Sequence, residues 1–194
     1  MSNLMYRSSA QVFAHNLKNL SAILKAAVKD AKARGIDPSV LLNSRLSPDM
    51  FALARQVQIV TDNAKGCSAR LAGVEPPVFA DDETTFPELE DRIKRTLAFI
   101  RSLKAAQFEG SESREVVMTL PIGTLSFSGI DYLNGWALPN FYFHYTTAYN
   151  ILRHNGVPLG KLSFLGAVPG MQMKGKIARM MGGAPKAKAK AKKK

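Results

Sequence analysis

The chain has 194 residues, of which 46% are hydrophobic, and it carries a formal net charge of +12. This length is enough for one domain with a well-buried core and short for two domains. Charged residues interrupt every apolar run well before the roughly 18 residues of a membrane span, and the N-terminus lacks the apolar core of a signal peptide. The single cysteine, Cys67, excludes a disulfide framework and favours a cytoplasmic protein.

The positive charge is concentrated at the C-terminal end of the chain. Residues 157–194 contain ten Lys and Arg residues and no acidic residue, whereas residues 1–156 contain 17 basic and 15 acidic residues, a net charge of +2. The repeat PKAKAKAKKK cannot bury apolar surface. The sequence therefore predicts a nearly neutral folded domain, residues 1–166, and a flexible Lys-rich tail, residues 167–194.

Two long amphipathic helices are predicted in the N-terminal half. Apolar residues at helical spacing, with lysines on the opposite side, predict a first helix over residues 9–34 that Gly35 ends. Asp37 and Pro38 are typical of the N-cap and first position of a short helical turn. Ser47–Pro48 repeats this signal and predicts the start of a second long helix, which runs to Leu71 and ends at Gly73.

The middle of the chain combines a third helix with a change of period. Thr85 and Glu88 form a predicted capping box around Pro87, and the helix that they start continues to about residue 104. Residues 115–128 then alternate with a period close to two around a turn at 121–123, which predicts a small β-hairpin. Ser128 and Asp131 are typical of the cap of a helix through residue 137, which we expect Pro139 to kink or break.

Residues 138–155, LPNFYFHYTTAYNILRHN, predict a fourth long helix with two adjacent apolar stripes. More than half of its circumference should be buried, including Tyr145 and Tyr149, and Asn155–Gly156 should form its C-cap. Four long helices with short connections predict a mainly all-α fold, an antiparallel four-helix bundle with the hairpin as an appendage between the third and fourth helices. Residues 157–165 lack helical period and should lie across the bundle surface.

Three stretches of the chain resemble a known family: ARGIDPSVLLNSRLSPDMFALARQVQIVTDNAKG, FADDETTFPEL, and LPNFYFHYTTAYNILRHNGVPLGK followed by FLG. Over residues 4–166 the chain resembles domain-of-unknown-function family nineteen-ninety-three, which belongs to the DinB/YfiT-like helical bundle superfamily. The resemblance implies an up-down-down-up four-helix bundle that is often dimeric. It implies no established activity.

DinB-like enzymes related to this family bind a divalent metal through three histidines, one on the second helix and a close pair on the fourth, and some transfer low-molecular-weight thiols. The second predicted helix of this chain contains no histidine. On the fourth helix His144 and His154 are ten residues apart, about 15 Å along the axis, and His15 lies on the first helix. The three-histidine site is therefore not matched and we assign no cofactor, although a divalent metal at His144 stays an open alternative.

His144 is the central candidate for a functional site. It lies on the wider apolar face of the fourth helix, either as a core histidine with one satisfied hydrogen bond or as a ligand or general base. Asn140 and Tyr145 on the same helix are further candidates for lining a ligand pocket, although Asn140 can instead satisfy backbone groups at the helix end.

Asp62 and Gln58 are the candidates on the second helix. Asp62 either forms an exposed ion pair with Lys65, three residues later, or turns with Gln58 towards a cleft against the fourth helix. In the second case a carboxylate would lie near His144, suited to hydrogen bonding or weak metal binding.

These features support three hypotheses about function. The first is a cytoplasmic, dimeric helical-bundle protein that binds a small ligand between its second and fourth helices. The second is a metal-dependent transferase like the DinB/YfiT-type thiol transferases. The third is nonspecific association with nucleic acid through the tail lysines, which are Lys186, Lys188, Lys190, Lys192, Lys193 and Lys194.

Overall fold

A computed structural model describes residues 3–177 of the chain. These residues form a mainly helical fold with one two-stranded antiparallel sheet. The helices are α1 (Leu4–Ser8), α2 (Ala10–Ala33), α3 (Pro38–Asn43), α4 (Leu53–Ala72), α5 (Phe86–Ser102), α6 (Gly129–Asp131), α7 (Leu138–His154) and α8 (Lys161–Leu165), and the strands are β1 (Glu115–Leu120) and β2 (Gly123–Ser128). No helix within residues 3–177 is both long and apolar enough to cross a membrane.

Several helix boundaries follow the predicted capping signals. Gly35, directly after the C-cap of α2, has a φ of +65°, a left-handed conformation that glycine adopts without steric cost. The Asp37 carboxylate accepts the backbone N–H of Ser39 at 2.8 Å. At the start of α5, Thr85 and Glu88 form the predicted capping box, in which the Glu88 carboxylate accepts the backbone N–H of Thr85 at 2.8 Å.

The predicted start of the second long helix at Ser47–Pro48 is wrong. The backbone N–H of Met50 donates to the carbonyl of Ser47 at 3.0 Å, which closes a turn there, and the Ser47 hydroxyl donates to Asp49. Helix α4 begins only at Leu53, whose N–H donates to the carbonyl of Ser44 at 3.0 Å. Local hydrogen bonding by Ser and Asp side chains therefore stabilises a turn where a helix was expected.

The predicted hairpin is present, with Glu115 opposite Ser128 and Leu120 opposite Gly123. The Ser128 hydroxyl then accepts the backbone N–H of Asp131 at 3.3 Å, as the sequence predicts. After α6 the chain forms a π-helical turn, Tyr132–Ala137, and continues directly into α7. Pro139 lies near the start of α7 within this continuous helical path, so it does not break the helix.

The four long helices share one hydrophobic core. Helix α4 packs against α5 and α7, and α2 packs against α5. Contrary to expectation, residues 157–165 include a short helix, α8, which packs on α2. Its Phe164 ring stacks on Tyr145 with the ring centroids 4.3 Å apart, and Tyr145 is completely buried. Tyr149 is only half-buried, at the edge of the same contact.

Candidate functional site

Helices α4 and α7 bring together Gln56 and His144. Nδ1 of the half-buried His144 lies 2.7 Å from Oε1 of Gln56, which is itself buried. The other end of the Gln56 amide, Nε2, donates to the backbone carbonyl of Phe51 at 3.0 Å. A carbonyl can only accept, so this second bond fixes the amide with Oε1 towards the imidazole. Nδ1 of His144 therefore carries a hydrogen and donates it to Gln56.

The electrostatic surroundings of His144 favour its neutral form. Burial lowers the pKa of His144, and the positive charge of Arg55 lowers it further. A neutral imidazole with its hydrogen on Nδ1 has an unprotonated Nε2 that can accept a hydrogen bond or a proton. Within residues 3–177, no hydrogen bond engages Nε2. The site thus presents an oriented hydrogen-bond acceptor.

Two of the predicted site residues on α7 differ in their surroundings. Asn140 lies one turn before His144, is half-buried, and donates through Nδ2 to the backbone carbonyl of Trp136 at 2.8 Å. Tyr145 is in the core and donates its hydroxyl to the backbone carbonyl of Phe164 at 2.9 Å, while burial raises its pKa. Asn140 therefore shares the helix face of His144, whereas Tyr145 holds α8 against α7.

The structure places Gln58 and Asp62 in a charged cluster on another side of α4, not beside His144. Gln58 Nε2 donates to Glu83 Oε2 at 3.1 Å. Asp62 Oδ1 lies 2.6 Å from a guanidinium nitrogen of Arg92 and 2.8 Å from Nζ of Lys65. The predicted Asp62–Lys65 pair is thus present, but its Lys65 side chain is largely buried.

The centre of that cluster is Arg92 of α5, which is completely buried. Besides Asp62, its guanidinium pairs with Asp81 at 2.7 Å and Glu83 at 3.0 Å, both in the loop between α4 and α5. Its Nε also donates to the Thr61 hydroxyl at 2.6 Å. A buried cation with this many partners is fully compensated, so the cluster fixes the loop on the two helices.

Phe79 in the same loop packs against three cations of this cluster. Its ring centre lies 4.9 Å from Nζ of Lys65, 5.1 Å from Cζ of Arg92 and 4.5 Å from Cζ of Arg95. Such contacts are attractive because the face of an aromatic ring carries negative partial charge. The loop is therefore held by both carboxylates and an aromatic ring.

Arg55 joins the charged cluster to the site at His144. Its Nη1 lies 2.7 Å from Oδ2 of Asp81 and donates to Oε1 of Gln58 at 3.1 Å. The same side chain lowers the pKa of His144. The predicted residues Gln58 and Asp62 consequently relate to His144 through Arg55 and the cluster, rather than through direct contact.

The residues around His144 do not fit the three-histidine metal site of the related enzymes. No group of three or more His, Cys, Asp or Glu side chains within residues 3–177 could hold a metal ion. The position on α4 that meets His144 is an amide, Gln56, and the nearby charge is the cation Arg55. His15 instead pairs with the backbone carbonyl of Leu165, through Nε2 at 2.8 Å. The six tail lysines lie outside the described residues.

Two features of the sequence could have indicated the contact between Gln56 and His144 and the cluster around Arg92. Gln56 and Gln58 are two residues apart, about 200° around a helix, so only one can face α7. Arg92 falls at helical spacing between Leu89 and Thr96 on the buried face of α5, where a cation needs carboxylate partners. The acidic loop ADDETT contains these partners, Asp81 and Glu83.

Comparison with known proteins agrees with this architecture. The chain is similar to the crystal structure of a DinB family member protein from Shewanella denitrificans, with 40% sequence identity and a TM-score of 0.82 over 89% of this chain and 97% of that chain. No curated protein is similar enough to match it. The family model described as "Domain of unknown function (DUF1993)" matches residues 5–165. The chain therefore belongs to the DUF1993 family, which confirms the resemblance drawn from its motifs.

Proposed function

We propose that the protein binds a small ligand between α4 and α7, with Nε2 of His144 as the acceptor and Gln56 as the positioning residue. The observation that carries this proposal is the chain of hydrogen bonds from Phe51 through Gln56 to Nδ1 of His144. Holding one nitrogen of an imidazole so that the other is presented is how proteins orient histidines for ligand or proton binding. We assign Asn140, one turn earlier on α7, to the same site.

The site favours a ligand that is a weak acid. A neutral Nε2 accepts a hydrogen bond from a hydroxyl, thiol or amide, and its lowered pKa keeps it an acceptor rather than a base. The positive charge of Arg55 would stabilise the negative partial charge on the donor atom of such a ligand. A small thiol or phenol therefore suits the site better than a cation does.

Ring-nitrogen NMR and ligand titration together test the proposal. Long-range proton–nitrogen spectra should show His144 with a protonated Nδ1 and an unprotonated Nε2 at neutral pH. Glutathione and phenol are the probes, titrated into wild type, His144→Ala and the matched control His154→Ala, an exposed histidine on the same helix. Saturable binding of either probe that disappears only in His144→Ala supports the site. An Nε2–H tautomer, or no binding that depends on His144, would overturn it.

The metal-dependent transferase is the weaker alternative. One imidazole flanked by an amide and a cation is a poor donor set for a divalent ion. Elemental analysis of untagged protein decides between the two hypotheses: stoichiometric Zn, Ni or Mn that His144→Ala removes would favour the transferase.

The arrangement of the fold is part of the same proposal. We infer that α2, α4, α5 and α7 form an antiparallel four-helix bundle. We also infer that residues 1–166 are the folded domain of a cytoplasmic protein. This domain is, in our proposal, a homodimer. Phe51 and Phe143 support a dimer, because both rings are more than half exposed close to His144. A monomeric molar mass in light scattering would contradict the proposed homodimer.

Nucleic-acid association is a third proposal and concerns the tail alone. Six lysines within the last nine residues could neutralise several phosphates, whereas residues 1–156 are nearly neutral. Any affinity should therefore be independent of sequence.

A further inference from the structure

A groove lies on the side of α7 that faces away from His144. Tyr142 lines it, and this residue precedes His144 by two positions, about 200° around the helix. The groove has a volume of about 490 Å³, is open to solvent, and is bordered by α1, the start of α2, α7, the end of α8 and the residues that follow it. This volume is within the range of small-molecule sites.

The wall formed by the chain after α8 is fixed by side chains of α2. Nε2 of His15 lies 2.8 Å from the backbone carbonyl of Leu165, and the Asn19 amide donates to the same carbonyl at 2.9 Å. Gly166 has a φ of +60°, and a Cβ atom there would collide with the Asn19 side chain. These contacts fix the position of this wall relative to α2.

Apolar side chains supply much of the groove surface. Leu4, Leu165 and Val168 line it and are exposed, and Val12 of α2, which is half-buried, lines it as well. Apolar side chains gathered around a concave surface gain free energy when a ligand covers them. The groove therefore suits a ligand with an apolar body.

Two side chains of the groove, those of Tyr142 and Arg7, are suited to an anion. Asn16 donates through Nδ2 to the hydroxyl oxygen of Tyr142 at 3.4 Å. The Tyr142 oxygen is the acceptor in that bond, and no acceptor within residues 3–177 engages its own hydrogen. Arg7 adds a positive charge to the lining, and none of the described residues that line the groove is acidic. This combination favours an anion.

We propose that the groove is a second binding site, for a small amphipathic carboxylate. The apolar chain would cover Leu4, Val12 and Leu165, and the carboxylate would accept the Tyr142 O–H within the field of Arg7. This site is separate from the one at His144 and does not depend on it.

The test is an amide proton–nitrogen NMR titration of the full chain at neutral pH with octanoate. Octylammonium and octanol serve as ligands of matched chain length and different charge. Octanoate should produce saturable shifts in the amides of residues 7–16 and 142, and the affinity should fall as salt is added. Octylammonium should not bind, and octanol should bind more weakly.

Variants localise the binding. Tyr142→Phe keeps the ring and removes the donor, so octanoate should bind about tenfold more weakly. Gln11→Trp should block the groove from an exposed position on α2, whereas Ala98→Trp, exposed on α5, should leave the affinity unchanged. His144→Ala should also retain octanoate binding. The proposal is wrong if octanoate fails to saturate, if octylammonium binds equally well, or if the affinity survives Gln11→Trp in a protein with an unchanged thermal midpoint.

Discussion

Nδ1 of His144 and Oε1 of Gln56 are 2.7 Å apart across the contact between α4 and α7. The bond joins a half-buried ionisable group to a buried neutral amide. It determines which imidazole nitrogen carries the hydrogen, and it makes Gln56 a residue whose side chain matters through its geometry rather than its charge.

The first prediction concerns the charge state of His144. The pKa of His144 in the folded chain is below its ordinary value, because burial and Arg55 both disfavour the imidazolium. In an NMR titration the midpoint of its ring protons should be correspondingly low. Arg55→Gln should raise this midpoint only part of the way, since burial is the larger cause.

The same shift makes a prediction about stability. Because the folded pKa is below the unfolded pKa, the unfolded chain takes up this proton first as the pH falls. The contribution of His144 is fully present above its unfolded pKa and is lost as the pH falls through its folded pKa. Chemical denaturation at several pH values measures the free energy of unfolding. As the pH falls, this free energy should decrease less in His144→Asn than in wild type. Identical pH profiles would contradict the prediction.

Removing the centre of the charged cluster should be costly. Arg92→Ala would leave the Glu83 carboxylate buried without its main partner, and we expect the free energy of unfolding to fall by about 3–5 kcal/mol. Arg95→Ala is the matched control, since this side chain is about half exposed and contacts the same Glu83 and Phe79. It should cost less than about 1 kcal/mol. Equal losses in the two variants would show that the cluster is not a buried ion network.

The aromatic contact between α7 and α8 predicts a graded mutational series. Tyr145→Ala removes a completely buried ring and should cost about 3–5 kcal/mol. Tyr145→Phe removes only the hydrogen bond to the Phe164 carbonyl and should cost about 1 kcal/mol. Tyr149→Ala should cost less than Tyr145→Ala, because Tyr149 is only half-buried. Chemical denaturation midpoints measure all three variants. A larger loss for Tyr149→Ala than for Tyr145→Ala would show that Tyr149 is the more deeply buried of the two rings.

Deleting residues 185–194 tests the tail. Nonspecific affinity for DNA should fall steeply between about 50 and about 200 mM salt in the full chain and disappear in the truncated one. The thermal midpoint should not change. If the truncated chain still bound DNA at moderate salt, or preferred one sequence, the folded domain would itself recognise nucleic acid.

The elements of this fold follow from local sequence signals to a large extent, and the site does so only in part. The capping box at Thr85 and the alternation of residues 115–128 act over a few residues, and both are read correctly. The Ser47–Pro48 turn shows the limit, because the same residues can cap a helix or close a turn.

The partner of His144 depends on the rotation of α4 relative to α7. Gln56 and Gln58 are both buried, on different sides of α4, because this helix packs against α5 as well as α7. The spacing of residues along α4 does not show which side of this helix faces α5 and which side faces α7. The contacts of Asp81 and Glu83 with Arg92 are likewise set by the path of the loop, not by spacing.

The π-helical turn at Tyr132–Ala137 connects the hairpin to α7 without a break in the helical path. A turn of this kind accommodates one residue more than an α-helix would, and each residue rotates an α-helix by about 100°. Deleting a single residue here, with the turn closing to regular α-helix, would swing β1 and β2 by about that angle around the axis of α7. One extra residue in this turn thus sets the orientation of the hairpin around the axis of the helix that carries His144.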